Sequence, residues 1–309
     1  MKKQPFIITT RQSPLALCQT EWVQSRLTQL HPELQFERLG LTTNADKMLS
    51  ISLVEVGGKG LFVKELEEAL LAKNAHLAVH SMKDMPMEYP AGLIVPVVCE
   101  REEVRDVLVA NQYTHLEDLP PGARVGTSSL RRQSQLRALR PDLVIENLRG
   151  NVNTRLARLD QGEFVALILA AAGLKRLGME HRISSLISID QILPAVGQGA
   201  LALECRADDQ FTQEIIAPLN HANSLACVSA ERAFCQRLGG GCQLPVAAYA
   251  EMVQGQLDLR GLVGSLDGKT ILRSRGQAAP EEAEGLGKTV AEDLLQQGAD
   301  KILSAVCPK

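Results

Sequence analysis

Apolar and polar positions follow two rhythms that take turns along the first two thirds of the chain. Phe6-Ile7-Ile8-Thr9-Thr10 is a short run of apolar and β-branched residues, the pattern of a buried strand. Ser13-Pro14 follows, a capping hydroxyl with proline at the first helical position, and predicts a helix start. The same alternation predicts strands over residues 35–41, 76–80 and 93–98 and a helix over 61–72, with glycine-bearing segments between. Glu100-Arg101-Glu102-Glu103 reads as a charged hinge, after which the rhythm restarts. Strands are expected to end at Val125 and to cover 143–146 and 164–170, with helices over 129–140 and 152–161. In the last of these Val152, Leu156 and Leu159 share one stripe, which leaves Arg155 and Arg158 on another face. Such alternation implies open α/β sheets.

From Ala222 the pattern changes to one helix reaching Leu238, a Gly239-Gly240-Gly241 break, strand-like runs over 246–253, 256–263 and 269–276, and helices from Pro280 onward. Strands grouped and then helices grouped suggest a smaller α+β domain. Pro194-Ala195-Val196-Gly197-Gln198-Gly199 has a hinge composition, and the apolar run 200–203 is expected to return as a strand to the first domain. The expected organisation is a discontinuous first domain (1–100 with 195–220), a second over 101–194 and a third over 221–309.

Composition narrows the function classes. The chain has 309 residues, of which 45% are hydrophobic and 22% charged, as in ordinary folded proteins. A net charge of −3 with 3% aromatic residues disfavours a nucleic-acid partner, which needs a basic field and stacking platforms. Phe6-Ile7-Ile8 is too short for a signal-peptide core, and the most apolar run, 164–173, falls short of the roughly 20 residues that span a bilayer. Seven cysteines without a CxxC pair argue against a disulfide framework or a structural zinc site. A monomeric cytoplasmic protein that binds neither metal nor membrane is expected.

Charge placement is the first chemical signal. Between Arg124 and Arg158 there are eight arginines, no lysine and two acids, Asp142 and Glu146. Arg131 and Arg132 lie in the first turn after Gly126-Thr127-Ser128-Ser129, where the helix dipole favours anions. Arg149-Gly150-Asn151-Val152-Asn153-Thr154-Arg155 repeats the arrangement, and Arg11 with Ser13 occupies the matching place near the N-terminus. Backbone N–H groups, hydroxyls and guanidinium forks at strand C-terminal ends form a receptor for carboxylate or phosphate; the competing reading is solvation of helix surfaces. Two facing domains with such sites suggest a cleft.

Three further segments carry candidate chemistry. His80-Ser81-Met82-Lys83-Asp84-Met85-Pro86 ends an apolar strand, and an ionised Asp84 suits stabilisation of a cation or proton transfer, unless Lys83-Asp84 is only a surface pair. Spacing places His76 and His80 on one strand face, where they read as core or edge histidines rather than metal ligands. Gly239-Gly240-Gly241-Cys242 exceeds what a helix cap needs and suits an accessible thiol, although most lone cysteines are packing residues. Gly57-Gly58-Lys59-Gly60 lacks the Walker spacing and reads as a glycine-rich flap.

These segments together resemble the porphobilinogen deaminase, or hydroxymethylbilane synthase, family. The matching motifs are Thr10-Arg11-Gln12-Ser13-Pro14-Leu15-Ala16, Gly57-Gly58-Lys59-Gly60-Leu61-Phe62, Val79 through Pro86, Val125 through Arg132, Leu148-Arg149-Gly150-Asn151, Pro194 through Gly199 and Gly240-Gly241-Cys242. The resemblance implies two α/β domains of the type II periplasmic-binding-protein kind around a cleft, with a smaller α+β domain holding a three-stranded antiparallel sheet. It implies a dipyrromethane cofactor on Cys242 through a thioether, to which four porphobilinogen units are added with loss of ammonia before hydrolysis frees the tetrapyrrole. Asp84 is then the catalytic carboxylate. Lys83, Ser129, Arg131 and Arg132 would hold cofactor carboxylates, and Arg11, Ser13, Arg149, Arg155, Arg176 and Gln198 the incoming ring. Lys59 would belong to the flexible loop. Glu55, often lysine in the family, and Ala45-Asp46, often Gly-Asp, depart from the pattern. A non-catalytic solute binder of the same two-lobed fold, or a thiol hydrolase acting through Cys242, would instead leave the intact protein without an adduct of two pyrrole rings.

Overall fold

β1 (Phe6–Arg11) alternates its side chains about a sheet covered on both faces, which is why it opens on Phe6-Ile7-Ile8 and buries the β-branched Thr9 and Thr10. The computed structural model describes residues 5–43, 63–240 and 244–306. Two units are distinguished: Met1–Arg101 with Ala200–Leu225, and Glu102–Gly199 with Ala226–Lys309.

The first unit contains α1 (Pro14–Leu30), β2 (Phe36–Leu41), α2 (Lys64–Leu71), β3 (Leu77–Ser81), β4 (Leu93–Val98) and β10 (Leu201–Arg206). Its sheet runs β2-β1-β3-β10-β4, with β1 parallel to β2 and β3, and β10 antiparallel to both neighbours. Alternation along β3 sets its two faces. Leu77 and Val79 join Val23 and Leu27 of α1 in one core, while Ala78 packs with Leu66 and Leu70 of α2 in the other. His80 shares the face of Ala78. The expected return of 200–203 as a strand is observed, in the fourth sheet position.

The second unit repeats this plan with β5 (Asp106–Ala110), β6 (Arg124–Gly126), α3 (Leu130–Leu139), β7 (Val144–Glu146), α4 (Val152–Asp160), β8 (Ala166–Ala170), α5 (Ala171–Arg176) and β9 (Ser185–Leu186). The order is β7-β6-β8-β5-β9, and again the fourth strand is antiparallel to the third. Leu136 of α3 packs with Val125, Ile168 and Leu108 on one face, and Leu156 and Leu159 of α4 with Val107, Leu167 and Leu169 on the other. A third sheet, β11 (Val246–Val253), β12 (Gln256–Gly264) and β13 (Ile271–Ala278), is an antiparallel meander. Helix α8 (Ala283–Gln296) presents buried Leu286, Val290 and Leu294 and packs on β12 and β13, with α9 (Ala299–Val306) beyond it. α6 (Gln210–Ile216) and α7 (Ala222–Arg237) connect β10 to this last part.

β5, α5, α6 and β9 were not anticipated from the residue pattern. Among the described residues, no helix is long and apolar enough to cross a membrane.

Candidate active site

β1 and β3 are parallel neighbours, so their C-terminal ends reach the same sheet edge. This brings Arg11 and Ser13, which follow or end β1, beside Ser81 and Asp84, which end or follow β3. Together with Gln19, Val63, Val79 and His80 they line one cavity, open to solvent. Ser13 is the N-cap of α1 and accepts from the Ala16 N–H at 3.4 Å, and the first turn of that helix holds no acid. The helix end is therefore an anion-favouring wall of the cavity. Gln19 donates to the Ser81 hydroxyl at 2.8 Å. Lys83 and Asp84 sit in a single 3-10 turn, Met82–Asp84, anchored by the buried side chains of Met82 and Met85. The structure thus brings Arg11, Ser13, Lys83 and Asp84 to one edge of one sheet.

Behind the cavity lie three buried ionisable side chains. Glu204 stands opposite Ala78 in the antiparallel register, which makes His80 its diagonal neighbour on the same face. Their side chains meet, with His80 Nε2 2.9 Å from Glu204 Oε2. Glu67 faces them from α2. Burial first, and the Glu204 charge second, push the Glu67 carboxyl up to about 7, against a smaller opposite pull from His80. His76 is not on this face of β3. It precedes the strand, accepts from the Ile7 N–H at 3.0 Å and stacks on Phe6. No group of three or more His, Cys, Asp or Glu suited to a metal ion occurs among the described residues.

The arginine-rich stretch in the second unit divides into distinct environments. Arg131 and Arg132 are 3% and 6% exposed and turn inward onto Asp106, the first residue of β5. Arg131 reaches Asp106 Oδ2 at 2.8 Å and Arg132 reaches Oδ1 at 2.7 Å, while Gln198 adds a third bond to Oδ1 at 2.8 Å. Burial alone would raise the Asp106 carboxyl, but the two guanidinium charges and these hydrogen bonds hold it below the usual carboxylate range. Burial likewise lowers Arg131, which Asp106 opposes. On the surface Arg124 pairs with Glu146, Arg140 with Asp142 and Arg158 with Glu163. Arg137 donates to the Leu266 carbonyl. Much of the cationic excess is therefore balanced by acids, two of which, Asp106 and Glu163, lie outside the stretch in which it was counted.

Arg149 and Arg155 flank the start of α4, whose first turn also lacks acids. Asn151 caps it by accepting from the Thr154 N–H at 2.9 Å. Gly150 has φ +108° and a Cβ there would come within 2.9 Å of Thr154, so only glycine joins Arg149 to the cap. Arg155 Nε donates to the Gly150 carbonyl at 2.7 Å, which closes the loop. Ser129 caps α3 through the Arg132 N–H. Arg176 donates to the Gly199 carbonyl at 2.7 Å, next to Gln198.

Cys242 and Lys59 lie outside the described residues, as do Glu55 and Ala45-Asp46. The approach to Cys242 is described as far as Gly240. Gly239, at φ +69°, donates to the Gln236 carbonyl and Gly240 to the Cys235 carbonyl, both at 2.9 Å, the paired bonds of a Schellman cap. A Cβ at Gly240 would lie 2.6 Å from the Cys235 sulfur. Two of the three glycines thus serve helix termination, and the third, Gly241, lies outside the described residues. Cys99, Cys205, Cys227 and Cys235 are buried, and burial pushes the Cys205 thiol up to about 12, as befits packing residues. Asp106, Glu67 and Glu204 were missed by the residue pattern, because each finds its charged partners far along the chain.

A model of the porphobilinogen deaminase, dipyromethane cofactor binding domain, matches residues 6–214, and one of the porphobilinogen deaminase C-terminal domain matches 225–296. Among solved structures the chain is similar to a putative methionine-binding lipoprotein from Bacillus subtilis, at 12% identity and TM-score 0.46, covering 72% of this chain and 92% of that one. It is also similar to the periplasmic aliphatic sulphonate binding protein SsuA from Escherichia coli, at 16% identity and TM-score 0.42, covering 76% and 70%.

Proposed function

Because the chain belongs to the porphobilinogen deaminase family, we propose that the cavity of the first unit is where its condensation reaction takes place, with Asp84 as the catalytic carboxylate. Membership makes the protein a hydroxymethylbilane synthase, a transferase of tetrapyrrole biosynthesis with a dipyrromethane cofactor. In the proposed reaction four porphobilinogen molecules are joined head to tail, each losing ammonia, and water releases the linear tetrapyrrole. The single observation carrying this reading is that Arg11, Ser13 and Asp84, from separate strand–loop segments, line one cavity.

The donor set suits a pyrrole ligand that carries acetate and propionate groups. Helices α1, α3 and α4 all begin without an acid in the first turn, capped by Ser13, Ser129 and Asn151. When bound through Cys242, the dipyrromethane would supply a tethered primer whose free ring position takes the first unit, later units extending the chain head to tail. Arg11, Ser13, Arg149 and Arg155 orient carboxylates of the incoming ring, Lys83 and Ser129 those of the cofactor, and Asp84, as an anion, offsets positive charge on the ring nitrogens and takes part in proton transfer. For Arg131, Arg132 and Gln198, convergence on Asp106 supports a holding role, fixing the start of α3 from beneath. The test is intact-protein mass combined with turnover. Asp84→Asn should keep the two-ring adduct and lose at least about a hundredfold in turnover, whereas Cys242→Ser should lack the adduct. Near-normal turnover in Asp84→Asn would overturn the assignment.

A further inference from the structure

One wall of the Asp84 cavity carries charge that the assignment above leaves unused. His80 lines the cavity while only 5% exposed, and its ring makes one hydrogen bond among the described residues, the 2.9 Å contact to Glu204. Glu204 Oε1 and Glu67 Oε1 are buried and lack a hydrogen-bond partner among the described residues. Two carboxyls and an imidazole, with two carboxyl oxygens unpartnered among the described residues, therefore stand buried beside a cavity, where an unpaired polar atom is costly. The charged groups around His80 are Glu67, with Glu68 next to it, on α2, Glu204 on β10, Asp84 after β3 and Arg11 on β1.

We propose that His80 is a second proton-carrying group of this cavity, oriented by Glu204 as its positioning residue. The proposal rests on the reading that condensation occurs beside Asp84. In each condensation a C–C bond forms between the aminomethyl carbon of porphobilinogen and the acceptor ring carbon. The C–N bond breaks with its electron pair leaving on ammonia, and the acceptor C–H bond breaks with its pair returning to the ring. Starting from the protonated amine, the ring proton ends on the departed ammonia as ammonium, so the enzyme gains none and needs only to carry it between two places. An imidazole whose Nε2–H is donated to Glu204 accepts that proton at Nδ1. The Glu204 carboxylate then stabilises the imidazolium until the proton is passed on.

The test is Glu204→Gln, a change of nearly equal volume, assayed with porphobilinogen from mildly acidic to mildly alkaline pH. The expected result is a kcat lowered about tenfold or more, with KM within about twofold. The acidic limb of the kcat profile should also move to lower pH, because an imidazolium that has lost its anion is less favoured. A kcat within about twofold of the parent, or a lowered kcat with an unmoved limb, overturns the proposal. Should the variant not fold, an NMR titration of the His80 ring in the holoenzyme decides. Proton uptake that follows the acidic limb supports the proposal, and no uptake across that limb overturns it. Asp84→Asn, assayed in parallel, separates the two readings. Normal turnover there brings down the site assignment itself, whereas a slow Asp84→Asn beside an unchanged Glu204→Gln brings down the role of His80 alone.

Discussion

The two five-stranded sheets share one strand order and place a buried acid on the same antiparallel fourth strand, yet they neutralise it in opposite ways. In the second unit Asp106 meets two arginines and a glutamine, donors that keep their charge or neutrality at any ordinary pH. In the first unit Glu204 meets a histidine and a second carboxyl, Glu67, which burial pushes up to about 7. Topology therefore determines where a buried charge sits and leaves open what it does. A fixed-charge cluster holds the start of α3 in place, and a proton-labile one borders the cavity.

The contrast has opposite signs on the pH axis. The Asp106 carboxyl is depressed in the folded protein, so the stability it contributes is present above the ordinary carboxylate range and lost as pH falls through the depressed value. Glu67 is raised, so its contribution is present below the ordinary value of 4.5 and lost as pH rises through about 7. Removing the fixed cluster should have the largest effect. Asp106→Asn leaves two guanidinium groups buried against a neutral amide and should cost about 3–5 kcal/mol in denaturant unfolding. A loss below about 1 kcal/mol would show that water or backbone carbonyls already neutralise the arginines, and the comparison would collapse. Glu204→Gln should be milder, about 1–2 kcal/mol, since glutamine retains a hydrogen bond to the ring and only the charge assistance is lost. Equal losses in the two variants would mean that the clusters differ in composition but not in kind.

Local signals were legible and distant ones were not. Ser13-Pro14 is a cap whose reading needs only a few consecutive residues, and Ser13 caps α1 in the structure. The three strands of the last sheet were readable because each covers a full run bounded by turns. β5 was hidden because its first residue is an aspartate following a charged stretch, and its partner strand β8 lies some sixty residues on. α5 begins where β8 ends, so one apolar run conceals both elements. Glu204 and His80 are separated by 124 positions, and only the antiparallel return of β10 makes them neighbours. A charge count within the arginine-rich window leaves out Asp106 and Glu163 for the same reason, because both lie outside it.

The smallest predicted effect is the most diagnostic of the labile cluster. Between pH 4.5 and about 7 the folded chain binds a proton at Glu67 more tightly than the unfolded chain does, so stability from this group declines as pH rises. Glu67→Gln removes the titration while keeping a neutral side chain of the same size, much as the protonated acid presents it. Relative to the parent, the variant should therefore be nearly neutral near pH 4.5 and more stable by about 1–2 kcal/mol at mildly alkaline pH. Denaturant midpoints measured at both pH values check this. A parallel pair of stability–pH curves would show that Glu67 does not change protonation across that range. Glu204 and His80 would then be a simple charged pair, and the first unit would differ from the second only in the identity of its cation.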